Sequence, residues 1–91
     1  MADNVTITDV AQVEQFANRL DRLRQQLEQV SRELQSAVDA VRPYWKDPQA
    51  DKLAAEVKEM SKVVRRFADS TQQPITYCRK LTQHIRSTPR R

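Results

Sequence analysis

The side chains with the clearest potential for chemistry are one cysteine, Cys78, and one histidine, His84. A cysteine nucleophile needs a neighbouring base, and a histidine often supplies it. In a helix, however, two residues six positions apart lie on different faces, so the imidazole would not reach the thiol. We therefore expect Cys78 to be buried as a small hydrophobic residue and His84 to lie at the surface or at an edge.

Two carboxylates, Asp47 and Asp51, are four positions apart and would share one face of a helix. They flank Pro48, which favours a helix cap and a first-turn charge over an acid–base pair. The chain has no glycine, so it lacks the usual phosphate-binding loops, and its lone cysteine excludes an internal disulfide. With no metal-ligand spacing either, we expect no enzymatic activity, no cofactor and no metal.

Basic side chains are the remaining chemical feature, and they are unevenly distributed. The formal net charge is +4, but residues 1–45 hold five basic and seven acidic groups, against eleven and five in residues 46–91. From Ser70 onward the chain has basic residues and no acidic ones. The candidates for contact with an anionic partner are Arg79, Lys80, Arg86, Arg90 and Arg91.

This basic half allows two interpretations. One is a solvated terminus; the other is a surface for nucleic acid, anionic lipid or an acidic partner. Lys58 and Lys62 alternate with Glu56 and Glu59, as in ordinary helix-surface pairing. Tyr77 is the one aromatic ring that could stack on a base. A nucleic-acid-binding or architectural coiled-coil protein is therefore the alternative function, and not the preferred one.

Long helices must position these side chains. From Val13 to Val41 apolar residues recur at alternating steps of three and four, which predicts a long helix packed along one side. The first helix is expected over about residues 7–42, with Thr6 as its cap, Asp9 near its positive end and Val5 packing on Val10. The positions expected to pack in the seam or in the dimer are, in this helix, Phe16, Leu20, Leu23, Leu27, Val30 and Leu34.

The same spacing resumes after a short interruption and predicts a second helix over about residues 48–87. Asp47 is expected to cap it and Pro48 to occupy its first turn, while Pro74 predicts a kink or a break. Small residues one position after the seam, at 54, 61 and 68, would allow close approach of the backbones. The seam positions chosen in this helix are Leu53, Val57, Met60, Val64 and Phe67.

Only about five residues, 43–47, separate the two helices, so the chain is predicted to turn back on itself. The expected fold is one all-α domain over residues 1–91, an antiparallel two-helix hairpin. Two helices alone cannot cover such an apolar stripe, so a second hairpin is expected to complete a four-helix bundle, as a homodimer or a heterodimer. No apolar run approaches the ~20 residues of a membrane span, and no signal peptide is recognisable. We expect a cytoplasmic product that, if exported, uses no cleaved leader.

The interruption holds the single tryptophan, Trp45, next to Tyr44. Trp45 is expected to fold over the end of the hairpin and to cap an unpaired carbonyl with its indole N–H. The other interpretation is a recognition patch, with Tyr44, Trp45 and Asp47 in contact with a partner.

Trp45-Lys46-Asp47, between two long helices in a chain of 91 residues, resembles the turn of the WXG family. These early-secreted-antigen-like proteins are helical hairpins of type VII secretion, with a Trp-x-Gly turn at their centre. The resemblance covers nearly the whole chain. Asp47 replaces the glycine, and aspartate also tolerates turns and caps helices. The segment 48–53 is similar to the small-residue and apolar pattern that often follows that turn.

The resemblance implies a non-enzymatic protein in a type VII-like secretion context. It would act as a small secreted factor, or as an adaptor or chaperone for a larger secreted effector, and would pair with a second hairpin. Secreted members typically carry Tyr-x-x-x-Asp/Glu just after the second helix. Here Tyr77 is followed four residues later by Leu81, and Tyr44 by Pro48, so that export signal is absent and export stays open.

Overall fold

The computed structural model describes residues 6–87, and its regular elements are all helical. They are α1 (Val10–Val41), a short 3-10 turn (Arg42–Tyr44), α2 (Pro48–Ser70) and α3 (Gln72–Ser87). Both α2 and α3 pack on α1, so the chain is a helical hairpin 71 Å long and 21 Å wide. The predicted all-α hairpin is confirmed.

The first helix begins three residues later than expected, at Val10 instead of about residue 7. Its N-cap is Asp9 and not Thr6, which lies before the helix. Asp9 has extended backbone angles, and its carboxylate accepts a hydrogen bond from the N–H of Ala11 at 3.0 Å. A carboxylate satisfies an unpaired helix N–H and also interacts with the positive end of the helix. The expected contact of Val5 with Val10 lies outside the described residues.

The turn between α1 and α2 needs no glycine. Within residues 6–87 no residue has a positive φ, and Asp47 has φ −82° and ψ 172°. Its carboxylate accepts a hydrogen bond from the N–H of Ala50 at 3.0 Å, with Pro48 in the first turn. Arg42 and Asp51 form an ion pair across the turn at 2.7 Å. The expected cap and first-turn proline of α2 are confirmed.

The second leg of the hairpin is interrupted at Thr71, three residues before Pro74. The hydroxyls of Ser70 and Thr71 donate to the carbonyl oxygens of Phe67 and Ala68, at 2.6 and 2.7 Å. Pro74 therefore lies in the first turn of α3, where a residue needs no N–H. This placement explains why the helix ends before the proline, while both segments continue along α1.

The centre of the contact between the two legs lies one position away from the predicted seam. The sequence predicts that the apolar seam residues meet at this contact. The most buried side chains there are instead mostly small, and most of them come one position after a seam residue. We call them the contact stripe: Ala17 and Ser31 in α1, and Ser61, Ala68, Ile75 and Thr82 in the second leg. Half of the predicted seam flanks this stripe, half-buried: Leu20, Leu27, Leu34, Val57 and Val64.

Small side chains bring the backbones close together at the middle of the hairpin. The hydroxyl oxygens of Ser31 and Ser61 are 2.8 Å apart, and each lies 3.0 Å from the backbone carbonyl of the other residue. Both residues are buried, at 5% and 1% exposure. Buried polar groups are stable only when they are hydrogen-bonded. A shift of one helix along the other would break these bonds, so the serine pair defines the register.

Candidate pairing surface

One side of the hairpin carries ion pairs between its legs. The guanidinium of Arg86 donates to both carboxylate oxygens of Glu14, at 2.6 and 2.8 Å. Two turns further along, Arg79 donates to Asp21 at 3.3 Å. Asp21, Arg79 and Arg86 each lie four positions after a residue of the contact stripe. Glu14 lies four positions after residue 10, which is seven positions before Ala17 in the stripe. We call this side of the hairpin the polar face.

The other side of the hairpin carries the outer half of the predicted seam. A residue just before the stripe is rotated about 100° around the helix, in the direction opposite to the ion-pairing residues. Because the legs are antiparallel, this rotation brings the residues of both legs to the same side. We call that side the apolar face: Phe16, Leu23, Val30, Leu53, Met60 and Phe67.

The apolar face is exposed to solvent. Phe16 is 52% exposed, Leu23 53%, Met60 50% and Phe67 62%. A groove of about 330 Å³ runs along its α1 side, lined in part by Phe16, Leu20 and Leu23. Soluble monomers seldom leave a contiguous row of large apolar side chains in water, and such a row is typical of an interaction surface. These six residues, predicted as packing residues of the seam or of the dimer, do not pack between the legs of the hairpin, and their packing in a dimer stays a prediction.

Mostly polar side chains border the apolar face. The residues three positions after those of the apolar face form its rim: Arg19, Gln26 and Glu33 on α1, and Glu56, Val63 and Ser70 on α2. All six are exposed. Glu33 accepts a hydrogen bond from the side-chain amide of Gln29 at 3.0 Å. The rim on α1 therefore carries one positive and one negative side chain, Arg19 and Glu33. Neither forms an ion pair within residues 6–87.

The tip of the hairpin links the tryptophan to the cap of α2. The pKa of the Asp47 carboxyl lies below its ordinary value because of the N–H of Ala50, the side-chain hydrogen bond from Trp45 and the N–H of Gln49. Trp45 can only donate through its indole N–H. The prediction that this group caps a carbonyl is not confirmed: what is found is the contribution of Trp45 to the lowered pKa of Asp47. Trp45 is 37% exposed and Tyr44 88%, so Tyr44 is the more available for a partner.

Ion pairs stabilise the ionised form of two carboxylates on the polar face. The pKa of Glu14 is lowered chiefly by its hydrogen bonds with Arg86. The pKa of Asp21 is lowered mainly by Arg24 and to a lesser extent by Arg79. Arg24 is itself only 18% exposed and also contacts Glu28, at 2.8 Å. The sequence analysis did not predict that Arg24 lies in the packed side of the hairpin. Its position seven residues after Ala17 and seven before Ser31 is the signal that could have shown this.

The basic residues proposed for an anionic partner divide between two environments. Arg79 and Arg86 are held by carboxylates of α1. Lys80 is exposed and makes no ion pair within residues 6–87. Arg90 and Arg91 lie outside the described residues. Arg79 and Arg86 line one open groove on the polar face, which Glu14 lines as well.

The residues considered first for chemistry lie in different environments. Cys78 is half-buried beside the contact stripe, and His84 is exposed. Asp51 pairs with Arg42 while Asp47 caps the helix, so the two carboxylates have separate structural roles. In residues 6–87 no cluster of His, Cys, Asp or Glu side chains has the arrangement of a metal site.

Comparison with known proteins adds no relatives. No family profile, curated protein or solved structure matches the chain. None of the helices described is long and apolar enough to span a lipid bilayer.

Proposed function

We propose that this protein is a non-enzymatic helical hairpin of the WXG type, which works by pairing its apolar face with another hairpin. In a type VII-like secretion context it would be a small secreted factor, or an adaptor or chaperone for a larger effector. The observation that carries the proposal is the row of six large apolar side chains on one side only of the hairpin. Covering that row with a second two-helix layer produces a four-helix bundle.

Burial supplies the driving force for pairing. Fully burying a Leu, Met or Phe side chain contributes about 1.5–3 kcal/mol, and about half of each such side chain is still open to water here. The contact inside the hairpin relies on small residues such as Ala17 and Ser61, which contribute little apolar area. A hairpin of this composition gains much of its stability from the layer that covers it.

The tip supports the WXG part of the proposal. The side chain of Trp45 contributes to the lowered pKa of the Asp47 carboxyl, two residues along the chain and directly before the start of α2. Asp47 has backbone angles open to any residue, so the turn does not depend on the glycine of the family motif. The length of the legs and the central position of the turn agree with the same resemblance.

The proposal is tested with one substitution on the apolar face and one matched control. Met60→Lys places a charge in the middle of that face, whereas Ala55→Lys places it on the outer side of the same helix, where Ala55 is exposed. The chain is produced in two differently tagged copies, and separately with helical proteins from neighbouring genes. We expect co-purification with one or the other, lost in Met60→Lys and kept in Ala55→Lys. No co-purification in either experiment, or equal behaviour of the two variants, would overturn the proposal.

Nucleic-acid binding by the basic half has less support. Arg79 and Arg86, two of its central cations, are already paired with Asp21 and Glu14. Binding to phosphates would weaken steeply with salt, so a gel-shift assay at low and at physiological salt distinguishes this function from pairing through the apolar face.

A further inference from the structure

We propose that a groove on the polar face of the hairpin binds a small molecule with a phosphate monoester group. The groove has a volume of about 240 Å³, and its lining residues come from both legs: Ser31, Gln35, Ser61, Lys62, Arg65 and Arg66. The polar face is opposite to the apolar one, so binding there does not depend on whether two hairpins pair. The site is indicated by a regular series of charges along the polar face, which changes at this groove.

The charges of the polar face repeat every seven residues on each leg. On α1 the first two members of the series are Glu14 and Asp21, and they form ion pairs with Arg86 at 2.6 Å and with Arg79 at 3.3 Å. Side chains seven positions apart share one face of a helix. Because the legs are antiparallel, each step of seven forward along α1 corresponds to a step of seven back along the second leg.

The pairing stops as the series approaches the middle of the hairpin. Glu28, the third member on α1, interacts with Arg24 of its own helix at 2.8 Å, and the second leg carries Gln72 at this step. One step later α1 carries Gln35 and the second leg carries Arg65, and both line the groove. Arg65 therefore lies opposite an amide, whereas the two arginines before it in the series lie opposite carboxylates.

Two more cations lie in the same groove. Lys62 and Arg66 line it together with Arg65, and all three side chains are exposed. Within residues 6–87 the ion pairs involve other cations. Pairing of Lys62 with its neighbouring glutamates, expected from the sequence, is not found there. Three positive charges close together repel one another, and an anion bound between them would offset that repulsion.

Hydrogen-bond donors complete the groove. The side-chain amide of Gln35 donates to the hydroxyl of Ser61 at 3.4 Å, which is longer than a usual hydrogen bond. An amide nitrogen has two hydrogens, so Gln35 keeps one for a ligand. The guanidinium of Arg65 offers paired N–H donors that match the oxygens of a phosphate. The lining residues described include no carboxylate, so an anion in the groove meets donors and positive charge.

The surroundings of the groove favour a small ligand over an extended polyanion. Asp39 lies four residues after Gln35, and Asp69 lies seven residues after Lys62; both are exposed. This spacing places both carboxylates on the side of the groove, where they would repel a nucleic-acid strand or an anionic bilayer along the polar face. The groove is also smaller than the roughly 300–1,000 Å³ of pockets for drug-sized ligands. It therefore suits one anionic group, with the rest of the molecule outside.

A phosphate monoester suits three cations better than other single anionic groups do. It carries a charge of about −1.5 to −2 at neutral pH and has three strong acceptor oxygens. A carboxylate or a phosphodiester carries only one negative charge. The monoester therefore offsets more of the charge of Lys62, Arg65 and Arg66.

Binding is tested with glycerol 3-phosphate, a small soluble phosphate monoester. The isotope-labelled protein is titrated at constant ionic strength, and nuclear magnetic resonance follows the side-chain amide of Gln35 and the backbone amides around Arg65. We expect saturable shifts at these groups. Dimethyl phosphate, a diester with a single charge, should bind more weakly, and chloride alone should not cause the shifts.

Two pairs of variants locate the site. Arg65→Gln removes a cation from the groove and should weaken binding about tenfold, whereas Arg22→Gln removes an exposed cation from the outer side of α1 and should not. Gln35→Glu supplies the carboxylate that the series lacks opposite Arg65, so binding should be lost. Ser36→Glu adds the same charge at an exposed neighbouring position and should have a much smaller effect. All four positions are exposed, so circular dichroism should show unchanged helix content.

The outcomes are distinct from those of the pairing experiments. Saturable binding that Arg65→Gln and Gln35→Glu weaken, and that their controls keep, supports the phosphate site. Absence of saturable shifts, equal binding of monoester and diester, or equal effects of variants and controls would overturn it. Binding only to phosphatidate vesicles or only to DNA would overturn it as well, since the ligand would then be an extended polyanion.

Discussion

Ser31 and Ser61 bond across the two legs of the hairpin, with hydroxyl oxygens 2.8 Å apart and each near the carbonyl of the other. Each serine has one hydroxyl hydrogen to donate, so two hydrogens are shared among three contacts: the one between the hydroxyls and the two to the carbonyl oxygens. The pair therefore stabilises one alignment of the legs, and the apolar face of the hairpin is complete only in that alignment.

Removal of either hydroxyl should destabilise the hairpin. Ser31→Ala or Ser61→Ala leaves a buried serine with fewer partners, so we expect a loss of about 1 kcal/mol in the free energy of unfolding. The double variant should lose less than the sum of the two single losses, because the serines share one network. Urea unfolding followed by circular dichroism measures this. Ser36→Ala, at an exposed position of the same helix, is the control. Strictly additive losses would contradict the shared network.

A charge on the apolar face should prevent the proposed pairing of two hairpins. For Met60→Lys we expect the apparent mass in solution to fall toward that of a single chain, since a buried lysine lacks a partner there. Helix content should fall as well, to the extent that the second layer holds the hairpin together. Ala55→Lys adds the same charge to the outer side of α2 and should change neither quantity. Light scattering over a range of concentrations provides the masses; a Met60→Lys variant with its oligomeric state intact would argue against the pairing surface.

Acid should destabilise the hairpin through three carboxylates. The pKa values of Glu14, Asp21 and Asp47 are all lowered in the folded state by hydrogen bonds. The unfolded chain therefore binds more protons, and stability rises with pH through the acid range. The contribution is present above the ordinary values of 4.5 for Glu14 and 3.8 for the two aspartates. It is lost as the pH falls through the lowered ones. Thermal unfolding at a series of pH values should show this slope, and Asp47→Asn should reduce it.

The effect of the Trp45 indole N–H should be measurable in the pKa of the Asp47 carboxyl. Trp45→Phe keeps an aromatic ring at the tip but removes the donor, so the pKa of Asp47 should rise toward its ordinary value. The N–H of Ala50 still holds the carboxylate, so part of the lowering should remain. Carboxyl titration by nuclear magnetic resonance follows the group directly, with Tyr44→Phe as the control at an exposed neighbour. An unchanged pKa would mean that the ring and not the N–H supports the cap.

Much of the fold was accessible from the sequence because its signals are local. The three-four spacing of apolar residues predicted two long legs, and Asp47 with Pro48 predicted where the second begins. The start of α1 was misplaced because Thr6 and Asp9 are both good caps, and the helix uses the second of them.

The direction in which the apolar residues point was harder to predict. A seam of Leu, Val and Phe indicates which side chains become buried, but not whether they pack against their own chain or against another chain. Here the closest approach of the legs required small side chains, so Ala17, Ser31 and Ser61 occupy the centre. Larger residues such as Phe16 and Phe67 are consequently turned outward. That rotation depends on the packing of the whole hairpin, which no short segment encodes.

The two sides of the hairpin differ so strongly that growth of any assembly is limited. With Glu14, Arg86, Asp21 and Arg79 facing water on one side, a layer stacked on the other side closes the structure and presents charges outward. Endless stacking into fibres would require adhesive surfaces on both sides. A protein present at high local concentration, as a small export-associated factor would be, could thus associate without polymerising.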